Sequence, residues 1–97
     1  MEEKARVHIF VSGRVQGVFY RKGAQKAAQE LGVTGFAHNL ADGRVELVVE
    51  GKAEKVRQFA EWCKQGTPFA KVDHCDVQFE EYKAEFPDGF TIREFGF

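Results

Sequence analysis

The amino-acid sequence predicts an α+β sandwich in which two helices cover one face of a mostly antiparallel sheet. Segments with the alternating pattern of strands and segments with the apolar spacing of helices follow one another in the order β-α-β-β-α-β, and a short strand comes last. Glycine-containing turns separate these segments. The 97 residues are enough for one hydrophobic core and leave no room for a second. One domain over residues 1–97 is therefore expected.

The first strand is predicted over residues 6–12, where apolar and polar side chains alternate with a period of two. Its apolar face carries Val7, Ile9 and Val11. Phe10 lies on the opposite face, which indicates that this face is also covered, as in a central strand. Right-handed β-α-β crossovers place this strand beside the third strand in the centre of the sheet.

Two amphipathic helices are predicted from apolar residues at helical spacing. The first covers residues 21–31, and Gly32 suits the left-handed position at which many helices end. Its narrow apolar stripe consists of Ala24, Ala27, Ala28 and Leu31. The second covers residues 53–64 and ends at the Gly-Thr-Pro of residues 66–68. Its apolar stripe consists of Val56, Phe59, Ala60 and Cys63.

The remaining strands follow from alternation and from turn residues. Residues 33–40 and 44–50 form the second and third strands, and residues 41–43 (Ala-Asp-Gly) form the hairpin turn between them. Residues 72–82 form the fourth strand. A last short strand after the Pro-Asp-Gly turn carries Phe90, Ile92 and Phe95.

The charge balance argues against a general nucleic-acid binder, because 14 basic and 15 acidic residues nearly cancel. It favours a compact ligand that is bound at one local site. No apolar run approaches the ~20 residues that a membrane helix needs, and the acidic N-terminus is unlike a signal peptide. We therefore expect a cytoplasmic protein without membrane contact. The charged residues between positions 80 and 85 are interpreted as a solvated run.

The two cysteines, Cys63 and Cys75, lack the C-x-x-C spacing of zinc and redox motifs. Buried, inert thiols are the favoured interpretation, since free cysteine is commonly buried. A disulfide between them stays open, because both side chains are expected to face the core.

The stretch from Ser12 to Arg21 has the composition of an anion cradle. Gly13 and Gly17 bracket a turn between a strand and a helix, and glycine permits the positive φ at which successive amide N–H groups share one concavity. The helix that follows adds unpaired N–H groups and a positive dipole end. Arg21 lies where that helix begins and could hold an anion bidentately. Two glycines beside an arginine form a weak motif alone, and a plain connecting turn is the alternative.

Asn39 is the second candidate residue, near the end of the second strand. Asparagine at a strand end is most often a turn former. Its amide nevertheless carries both a donor and an acceptor, which is what a group needs to fix a water molecule without deprotonating it.

Three features of the sequence resemble the acylphosphatase family. Residues 13–21 (GRVQGVFYR) are similar to the first signature of that family. Residues 32–39 (GVTGFAHN), running into residues 42–46 (DGRVE), are similar to the second. The break at residues 66–68 and the ending at residues 89–93 also fit, so the resemblance covers nearly the full length.

The resemblance implies the family's ferredoxin-like fold, which agrees with the element order, and its reaction, hydrolysis of the carboxyl–phosphate bond of acyl phosphates. It implies that Arg21 binds the phosphate and that Asn39 orients the attacking water. The implied phosphate-binding loop consists of the backbone amides of Gln16, Gly17, Val18, Phe19 and Tyr20. No cofactor is implied. The implied partners are a small acyl phosphate and inorganic phosphate, and a monomer is the default at this size. The acyl group is expected to face solvent.

The sequence departs from the family pattern at few positions. Tyr20 stands where many members have Phe, and it adds a hydroxyl. His38 and Leu40 flank Asn39, so a helper hydroxyl after the asparagine is absent. No metal-ligand cluster or obvious base is visible in the motifs, and metal-independent hydrolysis is therefore expected. The resemblance suggests that a phosphate oxygen of the substrate takes the proton of the water. Asp42 acting as base is the competing hypothesis.

Three other functions were weighed against a hydrolase. An RNA-recognition module with the same element order would need stacking aromatics, and Phe10 is the single candidate on the first strand while the third strand has none. A small regulatory or metal-carrying domain would be expected to show a ligand pair such as C-x-x-C. A domain that binds phosphate without catalysis is disfavoured by the presence of both Arg21 and Asn39.

Overall fold

A computed structural model describes residues 3–94 of the chain. Within this range, strands and helices follow one another in the predicted order. The elements are β1 (Lys4–Arg14), α1 (Tyr20–Leu31), β2 (Thr34–Asn39), β3 (Val45–Lys52), α2 (Ala53–Gln65), β4 (Lys71–Glu80) and β5 (Phe90–Arg93). Phe95, which was predicted to belong to the last strand, lies outside the described residues.

The strands form one sheet in the order β4-β1-β3-β2-β5. β1 pairs antiparallel with β3 and β4, β2 pairs antiparallel with β3, and β2 pairs parallel with β5. The predicted central position of the first and third strands is thus confirmed. Because β1, β2 and β5 run in the same direction, their carboxyl ends meet at one edge of the sheet. The segments that follow these three strands are brought together there.

The hydrophobic core lies between the sheet and the two helices. The core-facing residues of β1 and β3 are every second residue, as predicted, although Val48 and Glu50 of β3 are buried as well. Each fully buried Val, Leu or Ile contributes roughly 1.5–3 kcal/mol relative to exposure. The strand residues concerned are Val7, Ile9, Val11, Val45, Leu47 and Val49. The helices contribute Ala24, Ala28, Val56, Phe59 and Cys63, among others. Neither helix in the described part of the chain has the length and apolar character needed to cross a bilayer.

The opposite face of the sheet carries a buried ion cluster that the alternation pattern did not reveal. Glu50 is only 2% exposed, and one of its carboxylate oxygens lies 3.2 Å from Nη1 of Arg6. The backbone N–H groups of Lys83 and Glu85 donate to the same carboxylate at 2.7 and 2.8 Å. Arg6 also contacts the carboxylates of Glu80 and Glu85. Residues 80–85 are exposed, as expected for a solvated charged run. In addition, Glu80 and Glu85 pair with Arg6, and the backbone of this segment covers Glu50.

Phe10 lies on this outer face between two polar side chains. Its ring stacks on His8 with centroids 4.7 Å apart, and the guanidinium of Arg44 lies 4.7 Å from its centroid. These contacts account for an aromatic side chain on this face without a nucleic-acid ligand.

Candidate active site

A cavity of about 250 Å³ opens at the edge of the sheet where β1, β2 and β5 end. Its walls come from the segment after β1, the first turn of α1 and the end of β5. The lining residues are Val15, Gly17, Phe19, Tyr20, Arg21, Lys22, Ile92 and Glu94. Four of the residues that the sequence analysis singled out, Gly17, Phe19, Tyr20 and Arg21, therefore share one cavity.

Two glycines shape the segment that leads into the cavity. β1 continues through Gly13 and Arg14, two residues beyond the predicted end, because pairing with β4 resumes after a register shift at Ser12/Gly13. Gly13 has φ 118°, and a Cβ there would lie 2.3 Å from the backbone oxygen of Lys71. Gly17 has φ 74° in the turn itself. Gly13 therefore has no room for a side chain, and the left-handed backbone of Gly17 favours glycine, as the motif predicted.

The segment between β1 and α1, residues 15–19, is called the glycine loop below. Phe19, the residue before α1, is also left-handed, with φ 62° and ψ 21°. In the described part of the chain, no backbone N–H from Gln16 to Phe19 donates a hydrogen bond. The first turn of α1 contains no acidic residue and has no side-chain cap. The backbone N–H groups and the positive end of the helix dipole are therefore available to bind an anion. The N-terminal end of a helix stabilises a negative charge by about 0.3–1 kcal/mol.

Arg21 places a cationic nitrogen against the same cavity. Its side chain is about 25% exposed, yet Nη1 is buried and has no hydrogen-bond partner among residues 3–94. Within this range, the anionic atom paired with it is Oε2 of Glu94, 3.6 Å away, which is beyond hydrogen-bond length. A buried donor without a partner is uncommon in folded proteins and is a marker of a ligand site.

Asn39 is the last residue of β2, where it pairs with Val45. Its side-chain oxygen Oδ1 is buried and accepts no hydrogen bond from the described residues. The hairpin turn is closed by other groups: Leu40 N–H donates to the Arg44 oxygen at 2.8 Å, and Arg44 N–H donates to Oδ1 of Asp42 at 3.1 Å. Asn39 is therefore not the residue that forms the turn, and its amide oxygen is available to another molecule.

Gln16 connects the glycine loop to the hairpin that follows Asn39. Its Nε2 donates to the backbone oxygens of Leu40 and Arg44, each at 2.9 Å. In the parallel pair, His38 is opposite Arg93, so Asn39, the last residue of β2, and Glu94, the residue after β5, lie at the same edge of the sheet. Arg21, the glycine loop and Asn39 thus belong to one end of the molecule. The sequence indicated only the backbone amide of Gln16 as part of the site, and no local pattern marked this contact of its side chain.

A second hydrogen bond joins the glycine loop to the turn after α2. Oγ1 of Thr67 donates to the backbone oxygen of Val18 at 2.9 Å, so the turn after α2 holds the loop in place. The Gly-Thr-Pro break had been interpreted only as a helix end, and no local pattern marked Thr67 as a partner of residue 18.

The extra hydroxyl of Tyr20 is used inside the core. It donates to the backbone oxygen of Cys63 at 2.7 Å and so joins the start of α1 to the end of α2. Burial raises the pKa of Tyr20 well above its usual range, so the phenol is neutral. Cys63 and Cys75 are both free, so the disulfide that the sequence left open is not formed, and Cys63 is buried as expected whereas Cys75 is only partly buried.

His38, beside Asn39, belongs to a chain of polar side chains across the outer face of the sheet. Its Nε2 pairs with Glu46, and the same carboxylate contacts Nε2 of His8. Burial acts to raise the pKa of Glu46, but the hydrogen bonds from His38 and His8 outweigh it and hold this pKa below its ordinary value. Despite these contacts, no group of His, Cys, Asp or Glu side chains between residues 3 and 94 is arranged so that it could hold a metal ion.

Comparisons with known proteins show which family the chain and its fold resemble. The sequence model of the acylphosphatase family matches residues 7–92. The chain is 49% identical to an acylphosphatase of Methylococcus capsulatus over 89 residues, which cover 92% of this chain and 97% of the relative. It is 50% identical to an acylphosphatase of Haloquadratum walsbyi over 92 residues, 95% of this chain and 97% of the relative. The crystal structure of acylphosphatase from Bacillus subtilis superposes with a TM-score of 0.86 at 35% identity, and the match covers 92% of this chain and 98% of that chain.

Proposed function

The chain belongs to the acylphosphatase family, and we propose that it hydrolyses acyl phosphates with the phosphate bound by the glycine loop and Arg21 and with the attacking water oriented by Asn39. The single observation that carries this proposal is the buried, unpartnered Nη1 of Arg21 in a cavity whose loop N–H groups are also free. Phosphoryl transfer needs mainly positioning and stabilisation of charge on the phosphate oxygens.

The phosphate site is proposed to consist of the amides of Gln16, Gly17, Val18, Phe19 and Tyr20 together with Arg21. Left-handed backbone at Gly17 and Phe19 supports a concave arrangement of these N–H groups. A planar guanidinium adds two parallel donors, which suit a phosphate better than a point charge does. Donors that are already in place when charge develops on the phosphate stabilise the transition state without reorganisation.

Asn39 is proposed to hold the attacking water. Its buried Oδ1 can accept a hydrogen bond from that water, and the hydrogen bond from Gln16 to Leu40 joins the glycine loop to the residue after Asn39. A water molecule that is already held in position loses less translational and rotational freedom in the transition state, which lowers the entropic part of the activation barrier.

The proton of the water is proposed to go to a phosphate oxygen of the substrate. The water oxygen bonds to phosphorus, the bond from phosphorus to the acyl oxygen breaks, and the carboxylate leaves with the electron pair. A carboxylate leaves without help from an acid. The competing base, Asp42, is fully exposed, and hydrogen bonds from the backbone and side chain of Arg44 hold its pKa below the ordinary value. Such a carboxylate is a poor base.

We further propose that the protein acts as a cytoplasmic monomer and without a metal ion, since Arg21, Lys22 and the loop N–H groups supply the positive charge. Its partners would be a small acyl phosphate and the product, inorganic phosphate, with no nucleic acid or membrane. Benzoyl phosphate hydrolysis by the wild-type protein in EDTA tests the proposed reaction and its independence of a metal ion. Hydrolysis with competitive inhibition by inorganic phosphate is the expected result. Lack of hydrolysis in the presence and absence of Mg²⁺ would contradict the proposed function.

A further inference from the structure

Two exposed aromatic rings lie beside the opening of the cavity. Phe19 is 66% exposed and lines the cavity, and Phe69 is 65% exposed. Their centroids are 6.0 Å apart in an edge-to-face arrangement. Exposed aromatic pairs are costly in water and commonly mark places where an apolar group binds.

Phe19 is held in an unfavourable backbone conformation at this position. A φ of 62° is uncommon for a residue other than glycine, and such strain is concentrated at ligand sites. The first turn of α1 maintains it, because the N–H of Gly23 donates to the backbone oxygen of Phe19 at 2.9 Å. The ring is thus presented by a fixed backbone.

Phe69 reaches the same place from a different part of the chain. It lies in a turn that is closed by a hydrogen bond from Ala70 N–H to the Thr67 oxygen at 3.1 Å. Thr67 in turn donates to the backbone oxygen of Val18, the residue before Phe19. The hydrogen bonds that support the glycine loop therefore also hold the two rings next to each other.

We propose that Phe19 and Phe69 form a binding site for the acyl group of the substrate and favour aromatic over small aliphatic acyl groups. This inference rests on the proposed function, and it replaces the expectation that the acyl group faces solvent. The acyl group is joined to phosphorus through one bridging oxygen, so it must lie within a few ångströms of the bound phosphate. Phe19 connects both parts of the site, because its N–H belongs to the proposed phosphate loop, the residue lines the cavity and its ring contacts that of Phe69. An aromatic acyl group can stack on this ring pair, whereas an acetyl group is too small to cover it.

The test compares kcat/KM for benzoyl phosphate and acetyl phosphate in Phe69→Ala, which leaves the glycine loop untouched. We expect the benzoyl-to-acetyl ratio to fall by about three- to tenfold, the effect of one lost aromatic contact. Inhibition by inorganic phosphate should stay at the wild-type level. Phe69→Tyr should retain the wild-type ratio. Phe79→Ala is the matched control, since Phe79 is 60% exposed but lies on β4, away from this cavity.

An unchanged ratio in Phe69→Ala, or an equal loss for both substrates, would overturn the inference while leaving the hydrolase itself intact. A wild-type protein that hydrolyses neither substrate would overturn the proposed function and this inference together. Sedimentation of the same variants tests self-association through the rings. A dimer that Phe69→Ala dissociates would assign the ring pair to a second copy of the chain and would contradict an acyl site.

Discussion

The side-chain nitrogen of Gln16 lies 2.9 Å from the backbone oxygen of Leu40, the residue that follows Asn39. The same nitrogen donates to the Arg44 oxygen on the other side of the hairpin. The loop that is proposed to hold the phosphate and the strand end that is proposed to hold the water are thus joined by one side chain. Gln16 should therefore affect the reaction by setting the distance between Asn39 and the phosphate.

Gln16→Met removes the donor and keeps the length of the side chain. We expect kcat to fall by about ten- to a hundredfold, because a displacement of the reacting groups by roughly an ångström can cost that much. Inhibition by inorganic phosphate should hardly change, since the backbone amide of residue 16 remains. Gln25→Met is the matched control, because Nε2 of Gln25 also donates to a backbone oxygen, that of Phe90. A large loss of phosphate affinity in Gln16→Met would assign the residue to phosphate binding instead.

Arg21→Ala removes the guanidinium whose Nη1 is buried without a hydrogen-bond partner in the described structure. We expect turnover of benzoyl phosphate to fall by about 10²–10³-fold, as for other preorganised donors, and the inhibition constant of phosphate to rise. Arg57→Ala, on the exposed surface of α2, controls for the loss of one positive charge. Wild-type phosphate inhibition in Arg21→Ala would show that Arg21 does not bind the phosphate.

Asn39→Ala should abolish turnover and leave the inhibition constant of phosphate close to the wild-type value. The reason is that the proposed role of Asn39 is toward water, and Arg21 and the loop amides remain. Gln58→Ala on the exposed face of α2 is a control for the loss of a side-chain amide. Asp42→Ala should keep most of the activity. If it lost as much activity as Asn39→Ala, Asp42 and not the substrate's phosphate would be the base.

The fold followed from local patterns in the sequence. The alternation in residues 6–12 and the helical spacing of alanines after Arg21 are properties of neighbouring residues, and they were sufficient to predict the order of elements and the central strand pair. The glycines at positions 13 and 17 were informative for the same reason, because each is required by its own backbone angle or by one close contact. Bounds differed by a few residues where pairing with a distant strand extended β1.

The contacts that build the site were not predictable in this way. The partner of Gln16 is 24 residues away in the chain, and that of Thr67 is 49 residues away. Nothing in the local sequence indicates which backbone oxygen a glutamine or threonine will reach. The burial of Glu50 was equally hidden. It lies on the face of β3 opposite the core, yet it is buried there because the backbone of residues 83–85 covers it.

Glu94 lies 3.6 Å from Nη1 of Arg21, at the place where a phosphate is proposed to bind. Its carboxylate competes with the phosphate for the guanidinium. Glu94→Gln should therefore lower the inhibition constant of inorganic phosphate by about two- to fivefold, the size expected for an exposed ion pair, and the effect should shrink at high salt. Glu61→Gln, which breaks an exposed pair with Lys64 on α2, should leave phosphate inhibition unchanged. Weaker phosphate binding in Glu94→Gln would show that the carboxylate supports the site instead of competing with the ligand.

Glu46 links the site to the acid stability of the protein through its hydrogen bonds to His38 and His8. Its folded-state pKa is lowered from the ordinary value of 4.5, so the unfolded chain takes up this proton first as the pH falls. The stabilisation is therefore fully present above that ordinary value and is lost as the pH falls through the lower folded-state value. Glu46→Gln should reduce the free energy of unfolding in urea at neutral pH, and the difference from wild type should narrow in acid.

The control for this prediction is Glu54→Gln. Glu54 is an exposed carboxylate in the first turn of α2, so its replacement should change the free energy of unfolding only by a small helix-dipole effect. The same variant at Glu46 also tests whether the cluster matters for catalysis. Glu46 holds His38, and His38 precedes Asn39 on β2, so a loss of the carboxylate should lower kcat while phosphate inhibition is retained. A constant stability difference between Glu46→Gln and wild type across the acid range would mean that the carboxylate stabilises the sheet by hydrogen bonding alone, without the pKa shift on which this argument depends.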